Sequence, residues 1–188
     1  FFPQLHAAFP AATAGVKLDD WFWAINHVEP SLIRVEADEA TYNLHIIIRF
    51  ELEQALLTQD LSVGDLPGAR REKYEQYLVV QPATDAEGCL QDIHWSAALI
   101  GYFPTYSLGN LYASQFFEQA DRDLGGLAAM FARGEFDPLK GWLNEMIHHR
   151  GQCCTASELV QLVTGQPLSH GPLMRHLWEK LGPLYGLA

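Results

Sequence analysis

From Ser31 to Thr58 the chain runs without a proline or a glycine, and its polar and apolar residues recur at helical rather than alternating spacing. The stretch reads as one long helix, with Ser31 after Pro30 as N-cap and Glu36 and Asp38 bringing negative charge toward the end that the helix dipole favours. At ~100° per residue, Arg34, Asp38, Tyr42, His45 and Arg49 fall within about 40° of one line along it. The opposite side carries Ala40, Leu44, Ile47 and Ile48, and Ile46 and Phe50 extend the apolar surface further round. A helix that is apolar over most of its circumference is buried, and buried Arg, Asp and His need partners. Two readings follow. In one, the stripe is a closed structural network of Arg–Asp pairs. In the other, it lines an internal cleft where the planar fork of Arg34 receives a carboxylate.

Helical periods dominate the rest of the chain as well. Leu18 to Asn26 is a short aromatic stretch, Gly64, Pro67 and Gly68 punctuate a loop, and Arg70 to Leu78 is a short charged helix. Ser96 to Thr105 reads as an irregular buried segment because it holds Gly101 and Pro104. A helix then starts near Pro104 and ends by Leu124, before Gly125 and Gly126. Asp137-Pro138 caps another, which carries apolar residues at three-and-four spacing up to Gly151. Thr155 with Glu158 is a capping box for a helix ending at Thr164-Gly165, and Pro172 to Leu181 forms the last helix. No stretch alternates as a half-buried strand does, so the expected class is all-α, with residues 1–188 as one helical region.

With 188 residues, 48% of them hydrophobic, the chain can bury a sizeable core. A formal charge of −11 disfavours nucleic-acid phosphates and anionic lipid as partners. No apolar run reaches the ~18 residues of a membrane span, the longest being broken by His45 and Arg49, so a soluble protein with no membrane partner is expected. Three Cys, two of them adjacent at 153 and 154, make no disulfide framework and point to a reducing, cytoplasmic setting. The chain begins Phe1-Phe2-Pro3 with no initiator Met and no secretory leader, which reads as a piece of a longer chain.

Two further segments gather chemistry. Gly88-Cys89-Leu90-Gln91-Asp92-Ile93-His94-Trp95 packs an amide, a carboxylate, an imidazole and an indole into five residues after Leu90. Asp92 and His94 are candidate metal ligands, or else capping and packing residues; the chain holds no HExxH and no His/Cys cluster to complete a metal site. In Gly101-Tyr102-Phe103-Pro104-Thr105-Tyr106, Tyr106 falls in the first turn of a helix, where its phenol is either a hydrogen-bond donor at a pocket mouth or a core aromatic.

Together these segments resemble the carboxypeptidase Taq family of zinc metallocarboxypeptidases. Ile33-Arg34-Val35-Glu36-Ala37-Asp38 fits that family's I-R-x-x-A-D signature, Gly88 to Trp95 fits G-x-x-Q-D-x-H-W, and the run from Gly101 to Tyr106 follows in family order. There are departures: Ala98 and Val79 stand where the family has Gly, and Arg70-Arg71 where it has Trp-Asn.

The resemblance implies a helical array forming one wall of a zincin-like peptidase groove, in an enzyme that removes C-terminal residues from peptides. It places the zinc on an HExxH helix and a third Glu ligand upstream of the segment matching Phe1, so the complete enzyme uses zinc and this chain is expected to bind no metal. The expected partners are a peptide C-terminus and the missing N-terminal half, together with a second copy, since family members commonly form homodimers. Arg34, Gln91, His94 and Tyr106 are the expected substrate-binding residues, with His94 and Tyr106 also assisting catalysis. Asp38, Asp92, Tyr42 and His45 are expected to hold those donors in place. The competing expectation is a truncated, non-catalytic paralogue that serves as a binding module.

Overall fold

The computed structural model describes residues 1–187, and among them there is no strand. The all-α expectation is met. The chain divides into two compact units, the first comprising Phe1–Phe103 with Leu181–Ala188 and the second Pro104–Lys180.

In the first unit, helices α1 (Phe2–Ala8) and α2 (Leu18–Ile25) precede α3 (Tyr42–Leu57) and α4 (Leu66–Leu78). Helices α3 and α4 pack against each other around Ile48, Leu52, Leu66, Tyr74, Leu78 and Cys89. The long helix expected from Ser31 begins only at Tyr42. Arg34–Glu36 is instead a 3-10 turn, and Ala37 leaves it in extended conformation. The reason is Asp38: its Oδ1 accepts from the N–H groups of Ala40 and Thr41, and its Oδ2 accepts from Thr41 Oγ1 and from the Glu29 N–H. A side chain that takes the backbone donors ahead of Tyr42 fixes a turn there and starts the helix after it. Ser31 is therefore not an N-cap.

Helix α4 starts four residues before the expected Arg70, because Pro67 is tolerated in a first turn. The Ser62 hydroxyl closes the turn ahead of it by accepting from the Asp65 N–H. Residues 96–102 are exposed rather than buried, and only Phe103, 1% exposed, is driven inside. Glu53 holds that segment to α3 by accepting from the Gly101 N–H at 2.6 Å. Gly101 sits at φ +77°, which a side chain rarely adopts, so glycine is required to present that N–H.

In the second unit, α5 (Pro104–Leu124), α6 (Leu127–Ala132), α7 (Asp137–Met146) and α8 (Ala156–Thr164) pack around Ala120, Leu127, Trp142 and Val163. Helix α9 (Gly171–Tyr185) starts in this unit and ends in the first. Boundaries for α5 agree with expectation, and the Thr155–Glu158 capping box forms in both directions ahead of α8. Asp137 lies inside the first turn of α7 rather than capping it, and the helix ends at Met146, short of Gly151, with a separate 3-10 turn over His148–Arg150. Helices α1 and α6 were not expected: each is shorter than the window over which a periodic pattern is readable.

Val79 and Ala98, which stand where the family resemblance leads one to expect glycine, carry a cost. Val79, the C-cap of α4, has φ 58°, and Ala98 has φ 56°, both left-handed. Val79 is 77% exposed, so its side chain gains little packing in return. Val79→Gly is expected to raise the unfolding free energy by about 1 kcal/mol, read from urea denaturation. A midpoint no higher than the parent's refutes it.

Candidate functional site

The first unit buries an unusual amount of polar chemistry. On α3, His45, Arg49 and Glu53 recur every four residues and are 1%, 0% and 4% exposed, while Ile47 and Phe50 of the same helix face outward. The polar stripe is thus the inner face. Arg70 and Tyr74 on α4, also four apart and fully buried, meet it.

Tyr74 is the hub of one half. Its hydroxyl accepts from Arg70 Nη2 at 2.9 Å and from Gln91 Nε2 at 3.0 Å, and lies 3.0 Å from His45 Nδ1. Gln91 Nε2 shares its two hydrogens among that hydroxyl and the carbonyls of Leu32 and Glu87, and its Oε1 accepts from the Arg34 N–H. One amide thus locks the 88–95 segment to the 3-10 turn that carries Arg34.

Asp92 is the hub of the other half. Its Oδ1 accepts from Arg34 Nε and Nη2 at 3.1 and 2.9 Å, and its Oδ2 lies 3.9 Å from Arg49 Nη1. Arg34 Nη1 donates to the Tyr42 hydroxyl at 3.0 Å, and its guanidinium lies 5.1 Å from the Phe103 ring centre. The Arg49 guanidinium stacks on Trp95 at 3.3 Å, and Glu53 fixes that indole by accepting from its Nε1 at 2.7 Å. His94 packs edge-on against Phe103 and stacks with Tyr102.

Burial opposes the charge on Arg34, yet its bonds to Asp92 and Tyr42 outweigh that and raise its pKa above the ordinary value. Burial and the nearby Arg70 push Arg49 down to about 10, so it stays cationic at neutral pH. Burial also lowers the His94 pKa. The result is a desolvated cluster of guanidiniums held by Asp92, Glu53 and neutral groups, and a guanidinium is the group that receives a carboxylate through paired donors.

Residues 1–181 match the family described as Carboxypeptidase Taq (M32) metallopeptidase. The chain belongs to that family. It is 50% identical to thermostable carboxypeptidase 1 of Thermus thermophilus over 99% of its own length and 36% of that protein's. Carboxypeptidase 1 of Bacillus subtilis is 43% identical over 98% of the chain and 37% of that protein. The crystal structure of the M32 carboxypeptidase from Deinococcus radiodurans R1 superposes with a TM-score of 0.95 at 44% identity, covering 98% of this chain and 37% of that one. The carboxypeptidase Taq chain described here therefore spans about a third of the length of these relatives.

Of the residues singled out in the sequence, the fold brings Arg34, Tyr42, Gln91 and Asp92 into direct contact with one another, and Gln91 joins them to Tyr74 and His45. His94 follows in the same segment. Asp38 does not join them as a helix neighbour; it holds the turn ahead of Tyr42. Tyr106 lies in the first turn of α5, in the second unit. Arg70, Tyr74 and Glu53 escaped the sequence reading, and Trp95 was singled out with its segment but given no role. Glu53 extends the 45/49 spacing by one more step, and that signal was available; nothing in α4 marked Arg70 as buried.

Among the described residues, no three His, Cys, Asp or Glu side chains converge to hold a metal ion. Asp92 faces two guanidiniums, so the pair Asp92 and His94 does not fit a zinc site.

His45 supplies a pH test. Burial, reinforced by Arg70 and Arg34, lowers its pKa from 6.5 to about 4. Between those values the unfolded chain takes up a proton that the native chain refuses. Stability present above pH 6.5 is therefore lost as pH falls, by up to about 3 kcal/mol at pH 4, and levels off below. His45→Gln is expected to remove the larger part of that slope in urea unfolding between pH 4 and 7. Equal slopes in parent and variant refute the assignment.

Proposed function

We propose that this chain is the C-terminal, substrate-groove portion of a zinc-dependent metallocarboxypeptidase that removes C-terminal amino acids from peptides. The observation that carries the reading is Arg34, 7% exposed and clasped by Asp92 and Tyr42, in a chain of the carboxypeptidase Taq family. A guanidinium already ordered by its own partners meets a carboxylate without losing further rotamer freedom. Arg34 holds the terminal carboxylate of the peptide or orients the group that does, and Gln91 and His94 position it. Tyr106 donates a hydrogen bond to the terminal carboxylate or to the oxyanion as it develops. Asp38, Asp92, Tyr42 and His45 act through these donors rather than on the peptide.

The zinc of the complete enzyme is assigned to residues outside this chain, and among the described residues no three His, Cys, Asp or Glu side chains group to hold a metal ion. By itself the chain is inactive. Its exposed apolar residues, among them Phe9, Leu18, Phe22, Trp23 and Ile25, are the kind of surface that the remainder of the enzyme or a second copy would cover. The protein works as a cytoplasmic enzyme, for which it is relevant that no helix is long and apolar enough to cross a membrane among the described residues.

In a complete parent enzyme, Arg34→Ala and Arg34→Lys are each expected to lower kcat/KM on a peptide substrate by about 100-fold, since the ammonium of Lys cannot reproduce the fork. An unchanged kcat/KM sinks the carboxylate role. The pure chain is expected to release no C-terminal residues, and to do so once mixed with the separately produced upstream portion and zinc. Chelator-sensitive release by the chain alone overturns its assigned inactivity.

A further inference from the structure

The buried cluster between α3 and α4 holds more positive charge than its carboxylates balance. Arg34, Arg49 and Arg70 face Asp92 and Glu53, and all five side chains are buried. Glu53 spends one oxygen on the Trp95 indole and the other on the Gly101 N–H, and Asp92 turns one oxygen wholly to Arg34. Arg70 has no carboxylate within ion-pair distance; its one hydrogen bond goes to a neutral phenol.

Five buried nitrogens of Arg49 and Arg70 have no hydrogen-bond partner among the described residues: all three of Arg49, and Nε and Nη1 of Arg70. Every one of them is an N–H donor. The carboxylate oxygen left to them is Asp92 Oδ2, at 3.9 Å from Arg49 Nη1. The faces of Arg49 are taken by Trp95 and Phe103, so only its donor edge is left to a ligand.

We infer that the donors of Arg49 and Arg70 form a binding site for one small monovalent anion, of which chloride is the ordinary occupant. Buried donors of this number demand an acceptor, and the surplus of one positive charge sets its valence. The size follows from enclosure: Arg49 and Arg70 are 0% and 1% exposed, which shuts out a peptide terminus or a phosphate ester. The proximity of Arg70 is also felt electrostatically, since it lowers the pKa of both Arg49 and His45. The donors stand on α3 and α4, and the inference does not depend on the peptidase reading.

The test is the melting temperature of the full chain in sodium chloride against sodium gluconate at equal ionic strength. Chloride is expected to raise Tm along a saturating curve, by about 5 °C at a hundredfold excess over its Kd, and gluconate to leave it flat. In Arg70→Met the chloride-dependent part is expected to vanish. A crystal soaked in sodium bromide should show an anomalous peak between Arg49 and Arg70, a readout that holds even where the variant does not fold. Equal Tm curves in the two salts overturn the inference. So does a chloride effect with no bromide at this place, which would mean an adventitious ion only.

Discussion

Asp92 faces two guanidiniums at once, bonding Arg34 through one oxygen and lying near Arg49 with the other, and the rest of the first unit is arranged around that choice. The carboxylate sits in a segment with no regular structure, and without it the 88–95 stretch would bring no carboxylate of its own to α3. An internal ion pair rarely stabilises a fold more than apolar packing of the same volume, because both charges first lose their water. What Asp92 contributes is position. It sets the plane of Arg34, and through the Trp95 stack it leaves Arg49 only one edge with which to act.

Position is then propagated by groups that each serve two neighbours. Gln91 fixes the turn that carries Arg34 and also reaches Tyr74; Glu53 fixes both the indole under Arg49 and the Gly101 turn that lets Phe103 fold inward. Removing one such member strands two buried partners rather than one. That is why the cluster behaves as a unit, and why a polar interior here coexists with a defined conformation.

Much of this was legible in the residues, but unevenly. The polar stripe was visible as a spacing, and its burial followed from the apolar residues flanking it; what spacing could not show was that Asp38 turns its carboxylate on the backbone and delays the helix to Tyr42. Arg34 was placed on the wrong element and still beside the right neighbour, since the chain folds it back onto the Tyr42 hydroxyl. Gln91, Asp92 and His94 were marked by their density in a short segment. Arg70 was invisible, because a charged helix of low apolar content reads as a surface helix until the partner that buries it is known. The mistaken burial of residues 96–102 has the same origin: apolar composition says that a segment prefers shelter, not that this chain provides it.

The first unit has an apolar core around Ile48, Leu52 and Leu78, yet it also buries guanidiniums and leaves Phe22, Trp23, Ile47 and Phe50 outside. Helix α3 cannot shelter its whole circumference within this unit: its charges need other charges and donors, Ile46, Ile48 and Leu52 are buried beside them, and Ile47 and Phe50 are left outside. Folding resolves the conflict in favour of the charges, because a stranded buried ion costs several times what an exposed isoleucine does. The apolar face is then what remains to be covered, and on the proposed reading it is covered by protein from beyond this third of the enzyme. The same ordering of costs explains why Arg34 arrives at its site already clasped: a guanidinium taken out of water has to be held by its own chain before it can hold anything else.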